Sequence, residues 1–308
     1  MAMATVALAL VSVVLRAPAQ AAEKVKVLAS FSILGDLVRE VGGELVDVDI
    51  LIGPNVDMHN FQPSPADSRK FSGAKLVVIN GLGLEGWADR LVKAAAYRGA
   101  RLVASKGVKA LAGHEHEHGH GEGGHGRYDP HAWQDVANVK IYIANIRDAL
   151  IGVDPANKTA YQQTAENYLG QLDTLDRDIR AAWADIPKQR RRVITSHEAF
   201  DYYGDAYGIE FLAAQGVSED AEPSARDIAK LIQQIKTEKI TAIFVENISS
   251  GRLMDRIAKE TGAKIGGELY SDALSPPGGP AAAYVDMMRF NTKAITDALR
   301  SGGGSKAN

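Results

Sequence analysis

The 308-residue chain contains no cysteine. Disulfides, thiolate metal ligands and cysteine nucleophiles are therefore excluded together. The acylated cysteine that tethers an exported protein is missing too, so no lipid anchor is expected. Neither sign of charge dominates: 35 Lys and Arg stand against 38 Asp and Glu, a formal net charge of -3. No global field steers such a chain to nucleic acid or to an anionic membrane. The densest basic run, KQRRR at Lys188–Arg192, reads as a solvated loop ahead of a strand. Long hydrophobic runs are absent: Ala2–Leu15 is shorter than the ~20 residues that span a bilayer. No Gly-rich phosphate fingerprint follows the first apolar segment and no Walker-type loop occurs, so nucleotide chemistry lacks its marks.

What is present begins with an export pattern. The apolar run Ala2–Leu15 leads to Ala19-Gln20-Ala21, a small-x-small cleavage site. Residues 1–21 are read as a signal peptide, although no Lys or Arg precedes the run, and the mature chain is expected in the periplasm. A hydrophobic content of 45% supports a sizeable core, and length alone implies about two domains.

The mature chain alternates short apolar runs with helical patterns. Val25–Ala29, Val46–Ile52 and Leu76–Ile79 read as strands, with helices over Ile33–Val41 and Glu85–Ala96. After a helix over Val136–Leu150, one apolar stripe at spacings of three and four runs from Asp154 to Ile186, ended by Pro187. The alternation then restarts, with strands at Arg192–Thr195, Glu210–Ala213 and Ala242–Val245. Helices are expected at Glu198–Tyr207, Ser224–Lys239, Arg252–Thr261 and Pro280–Leu299. Short strands separated by helices imply parallel sheets with helices on both faces. The fold expected is two α/β lobes, residues 22–153 and 188–300, joined by one long linking helix at 154–187 and followed by a flexible tail at 301–308.

Five of the eight histidines crowd into HEHEHGHGEGGH: His114, His116, His118, His120 and His125. The Gly-rich, aperiodic tract cannot pack, and its imidazoles suit weak accessory metal capture. The other three stand apart, each just past an apolar run or a turn: His59 in GPNVDMHNFQP, His131 in YDPHAWQD and His197 in VITSHEAFDYY. Asp272 in LYSDALSPPGGP is a fourth candidate. Imidazole is the commonest metal-ligating side chain near neutral pH. These four lie tens of residues apart, unlike the paired histidines of a zincin helix. Such a site forms only if the two halves fold against each other.

The chain resembles the metal-binding solute-binding proteins of ABC transporters, in the cluster that carries zinc and manganese. The resemblance covers the whole mature chain. It rests on SFSILGDLVREVGG, GPNVDMHNFQPSPAD, YDPHAWQDVANVKIYIANI, SHEAFDYYGDAYG, IFVENISS and LYSDALS. It implies a metal site in the cleft between the lobes, held by His59, His131, His197 and Asp272. Phe61-Gln62-Pro63 stands where the family often has Tyr-Glu-Pro. Glu246 in FVENISS matches a carboxylate common near the family's site and is a second-shell candidate; Asp129 and Glu198 are candidates by adjacency to His131 and His197. Manganese-type relatives place a carboxylate where His197 stands, so three imidazoles and one carboxylate point to Zn2+ as the cargo. The partners implied are a membrane permease and a periplasmic metallochaperone, with no nucleic acid and a monomeric chain. Manganese or another divalent ion is the alternative cargo. A zinc hydrolase is the alternative class, with Glu198 or Glu246 as base only if Asp272 is not a ligand.

Overall fold

The computed structural model describes residues 23–113, 128–216 and 224–302. The expected signal peptide and the His-rich tract from His114 to His125 lie outside the described residues. Among the described residues no helix is long and apolar enough to cross a membrane.

The first lobe is built on strands β1 (Val25–Phe31), β2 (Val46–Ile52), β3 (Leu76–Ile79) and β4 (Ala100–Val103). They pair in parallel in the order β2-β1-β3-β4. In β1 every residue except Lys26 is buried, as expected of a central parallel strand covered on both faces. Helices α1 (Ser32–Gly42), α2 (Pro65–Gly73) and α3 (Ala88–Ala94) make the crossovers. A Cβ on Gly35 of α1 would come within 2.6 Å of Ile50, so this glycine lets the helix lie directly on β2.

Helix α4 (Val136–Val153) covers this lobe and leads to α5 (Lys158–Ala182). The stripe Tyr161, Ala165, Tyr168, Leu172, Leu175 and Ile179 of α5 is buried. At ~1.5 Å per residue α5 is a rod of about 37 Å, shorter than a helix over all of 154–187 would be. Both ends differ from the sequence expectation for stated reasons. Asp154 Oδ2 accepts from Asn157 Nδ2 and the Tyr161 hydroxyl, which closes a 3-10 turn before the helix. Arg191 donates to the carbonyls of Trp183 and Ile186, drawing the last residues of the stripe into turns.

The second lobe repeats the first. Strands β5 (Arg192–Thr195), β6 (Glu210–Ala213), β7 (Ala242–Glu246) and β8 (Lys264–Leu269) pair in parallel in the order β6-β5-β7-β8. Helices α6 (Asp201–Tyr207), α7 (Ala225–Glu238) and α8 (Arg252–Thr261) connect them. The last helix, α9 (Tyr284–Gly302), packs on β7 and β8 and also on α5 and α1, bracing the two sheets. Ser301 and Gly302, expected in the tail, belong to this helix, and the Ser301 hydroxyl bonds the Asp297 carbonyl at 2.8 Å.

Helix α2 and strand β4 have no counterpart among the elements expected from the sequence. Phe71 is the one buried residue of α2, so no apolar stripe marks it; its signal is the capping box of Ser64 and Asp67 around Pro65. β4 is an edge strand with Leu102 alone half-buried, so it lacks an apolar run.

Candidate metal centre

In an open parallel sheet, loops leaving the carboxyl ends of the strands form a crevice where the strand order reverses. Both lobes direct such loops at the same point. His59 follows β2, His197 follows β5, Asp272 follows β8, and His131 lies in the segment that re-enters after β4.

Local turn chemistry presets two of these loops. The His59 backbone N–H donates to Asp57 Oδ1 at 2.8 Å, a tight Asp-centred turn. The His131 backbone N–H does the same with Asp129 Oδ1 at 2.9 Å. That oxygen also faces His131 Nδ1 at 2.7 Å. The His197 backbone N–H donates to Glu246 Oε1 at 3.0 Å, while Glu246 Oε2 lies 2.6 Å from His197 Nδ1. On both rings a carboxylate therefore faces Nδ1 and directs Nε2 into the crevice.

The four side chains converge there. One ligand-type atom from each of His59, His131, His197 and Asp272 lies within 4.8 Å of all the others. His59 Nε2 is 3.2 Å from His131 Nε2 and 3.0 Å from Asp272 Oδ2. His131 Nε2 is 3.5 Å from Asp272 Oδ1, and His197 Nε2 is 3.3 Å from Asp272 Oδ2. The ring centroids lie 5.3 to 5.7 Å apart. The side chains of His59 and Asp272 are 1% and 0% exposed. His197 Nε2 and Asp272 Oδ1 are buried and make no hydrogen bond. Buried polar atoms left without hydrogen-bond partners are costly, and a cation between them removes the cost.

The electrostatics follow from burial and proximity. Burial pushes the His59 imidazole below its ordinary pKa, against the pull of Asp272. Burial also opposes charge on His197, but the carboxylates of Glu246 and Asp272 outweigh it and hold that imidazole well above its usual value. Asp272 is held well below the usual carboxylate range: burial opposes its ionisation, and His131 and His197 overcome that.

Of the adjacency candidates, Asp129 faces its imidazole and Glu198 does not take the expected place. His197 Nδ1 already meets Glu246, which arrives from β7, so Glu198 has no ring nitrogen there to orient; its backbone N–H bonds the Gly216 carbonyl at 3.1 Å. Other residues that shape the site went unread in the sequence. Trp133 Nε1 and Gln134 Nε2 both donate to the Ser271 carbonyl, at 2.9 and 2.8 Å, tying the His131 loop to the residue before Asp272. Asn80, at the end of β3, donates to the Pro130 carbonyl at 2.9 Å and accepts from the Tyr142 hydroxyl at 2.6 Å. The one hint was HAWQD, a tryptophan and a glutamine close after a histidine.

Comparison with known proteins places this geometry in a family. Residues 27–298 match the model of the zinc-uptake complex component A periplasmic family, ZnuA. The chain is 32% identical to the manganese-binding lipoprotein MntA of Halalkalibacterium halodurans, over 90% of this chain and 89% of that one. It is 30% identical to the iron-binding protein YfeA of Yersinia pestis, over 90% and 87% of the two chains. The Mn-bound periplasmic metal-binding protein of Candidatus Liberibacter asiaticus superposes with a TM-score of 0.79 at 30% identity, covering 90% of this chain and 100% of that one. The periplasmic zinc-binding protein TroA of Treponema pallidum gives 0.82 at 28% identity, covering 90% and 99%. Proteins of this kind bind solute for a membrane permease and its ATPase and are not enzymes. The chain belongs to the ZnuA family and is a periplasmic divalent-metal-binding component of an ABC transporter.

Proposed function

We propose that the chain captures Zn2+ with His59, His131, His197 and Asp272 and delivers it to an ABC-type permease for import. The observation that carries this reading is the donor set: three imidazole nitrogens and one carboxylate, all within 4.8 Å of one another, with His59 at 3.2 Å from His131 and each imidazole at 3.0 to 3.5 Å from an oxygen of Asp272. A tetrahedron with zinc–ligand bonds of ~2.0–2.1 Å has edges of about 3.3 Å, which the His59–His131 and imidazole–Asp272 separations approach. Nitrogen-rich sets favour borderline ions such as zinc, whereas manganese favours oxygen donors. His197 supplies the difference, because the family resemblance implies a carboxylate at this position in manganese-type relatives. Four protein ligands fill the tetrahedron and leave no position for a reactive water, in keeping with carriage rather than hydrolysis.

Manganese is the competing cargo, since the named relatives include manganese binders at comparable identity. The test is metal analysis of the chain purified without a His tag, followed by calorimetric titration of wild type and His197→Glu with Zn2+ and Mn2+. A single tight Zn2+ is expected in the wild type, with the preference narrowed in the variant. An unchanged zinc-over-manganese preference in His197→Glu would remove the reason for choosing zinc.

A further inference from the structure

Asp272 belongs to the second half of the chain, yet the segment around it is fastened largely by groups from elsewhere. The Leu274 backbone N–H donates to the Ser32 hydroxyl at 2.9 Å, and the Leu274 carbonyl accepts from the Asn55 backbone N–H at 3.2 Å. Asn55 lies in the same loop as His59 and has φ +54, a left-handed conformation that asparagine tolerates better than most residues. That conformation turns its side chain to meet Asn247, whose Nδ2 donates to Asn55 Oδ1 at 2.9 Å. The other Asn247 amide hydrogen goes to the Ala273 carbonyl at 3.1 Å. Asn247 is itself anchored, because its backbone N–H bonds the Leu269 carbonyl of β8 at 2.9 Å. It directly follows Glu246, the carboxylate that faces His197.

We infer that Asn55 and Asn247 form a latch across the cleft that holds the Asp272 loop over the bound metal and sets the rate of its release. The reading rests on the metal site proposed above. One amide hydrogen of Asn247 reaches the loop that bears His59 and the other reaches the loop that bears Asp272, while its backbone N–H is fixed to Leu269 at the end of β8. Opening the cleft at this edge breaks the Asn247–Asn55 side-chain bond and the Asn55–Leu274 backbone bond together, while the Asn247–Ala273 bond lies within the second lobe. Neither residue touches the four converging side chains in the contacts above. Neither residue titrates, so the latch acts separately from imidazole protonation. Because a buried carboxylate facing three imidazoles holds the ion regardless of the latch, the effect falls on dissociation more than on the ligand set.

The test uses the full chain loaded with Zn2+ and mixed in a stopped-flow instrument with an excess of chromophoric chelator. Asn55→Gly keeps the left-handed backbone and its N–H but removes the acceptor. Asn247→Ala removes the donor. Asn55→Asp keeps both the acceptor and the tolerance for positive φ. Loss of one net hydrogen bond corresponds to about a two- to tenfold change in rate. Asn55→Gly and Asn247→Ala are each expected to release Zn2+ faster by that factor. The double variant is expected to be no faster than the quicker single variant, and Asn55→Asp to stay near wild type. Co2+-loaded samples are expected to keep the wild-type visible spectrum. Off-rates within twofold of wild type in both single variants, or factors that multiply in the double variant, would overturn the latch. A Co2+ spectrum changed by either substitution would overturn it as well, because the ligand set would then have moved. A wild-type chain that retains no metal would instead fell the metal-binding reading, and the latch with it.

Discussion

Replacing Glu246 by Gln removes one charge and almost no volume, and the surroundings of that carboxylate determine the outcome. Glu246 is 1% exposed, and both its oxygens face His197: Oε1 accepts from the backbone N–H at 3.0 Å, and Oε2 lies 2.6 Å from Nδ1. For Nε2 to ligate a metal, the neutral ring must carry its proton on Nδ1 and needs an acceptor there. A glutamine has one oxygen for two donors. If the oxygen stays on the backbone N–H, the amide NH2 faces Nδ1 and favours the tautomer with the proton on Nε2, where it blocks the metal. If the amide turns over, two donors confront each other at the backbone, and a buried unpaired donor costs about 1–3 kcal/mol. Either route weakens the complex by about 10- to 100-fold, which is about 1.4–2.8 kcal/mol. Competition against a chromophoric zinc chelator at pH 7.5 measures this directly, with circular dichroism of the metal-free variant as the control for folding. Affinity within threefold of wild type in a folded variant would refute the view that the Glu246 carboxylate sets the tautomer of His197.

The same electrostatics predict a proton count: His197 is held above its ordinary pKa in the metal-free chain, so the ion must displace its proton. Affinity should fall as pH falls, and calorimetry in buffers of different ionisation enthalpy should record release of about one proton at pH 7; zero release contradicts the assignment. Away from the site, burial raises Asp36 from 3.8 to about 6, opposed by the Tyr284 backbone N–H that it accepts. A raised acid pKa means the fold favours the protonated form, so this contribution to stability is present below about pH 4 and is lost as pH rises through about 6. Asp36→Asn should therefore stabilise the protein by at most about 3 kcal/mol at pH 8, with the gain falling to about half of that at pH 5 in urea unfolding; a gain independent of pH counts against the shift. Gly170 is exposed on α5 and a Cβ there meets nothing within 4 Å, so Gly170→Ala should raise stability by about 0.5–1 kcal/mol in the same assay.

Much of the architecture was legible because burial on both faces of a parallel sheet demands continuous apolar runs. VKVLA, LVVI and RVIT announce strands β1, β3 and β5, and the Tyr161-to-Ile179 stripe announces α5. Elements that bury little were silent. β4 is largely exposed, and α2 contributes one buried side chain. Helix ends were misjudged where the deciding group is remote, as with Arg191 drawing away the carbonyls of Trp183 and Ile186.

The sequence by itself determined which side chains the crevice receives. Three isolated histidines and Asp272 each follow a strand end or a turn, and family motifs surround each one. It also determined the Asp-centred turns at His59 and His131, since those bonds span two residues and need no tertiary partner. Only the tertiary structure decided that the four meet within 4.8 Å, that Glu246 rather than Glu198 faces His197, and that Asn55 and Asn247 bridge the cleft. Those pairings join residues tens to hundreds of positions apart. They depend on how two sheets of the same strand order are set against each other by α5 and α9, and no local pattern in the chain encodes that relation.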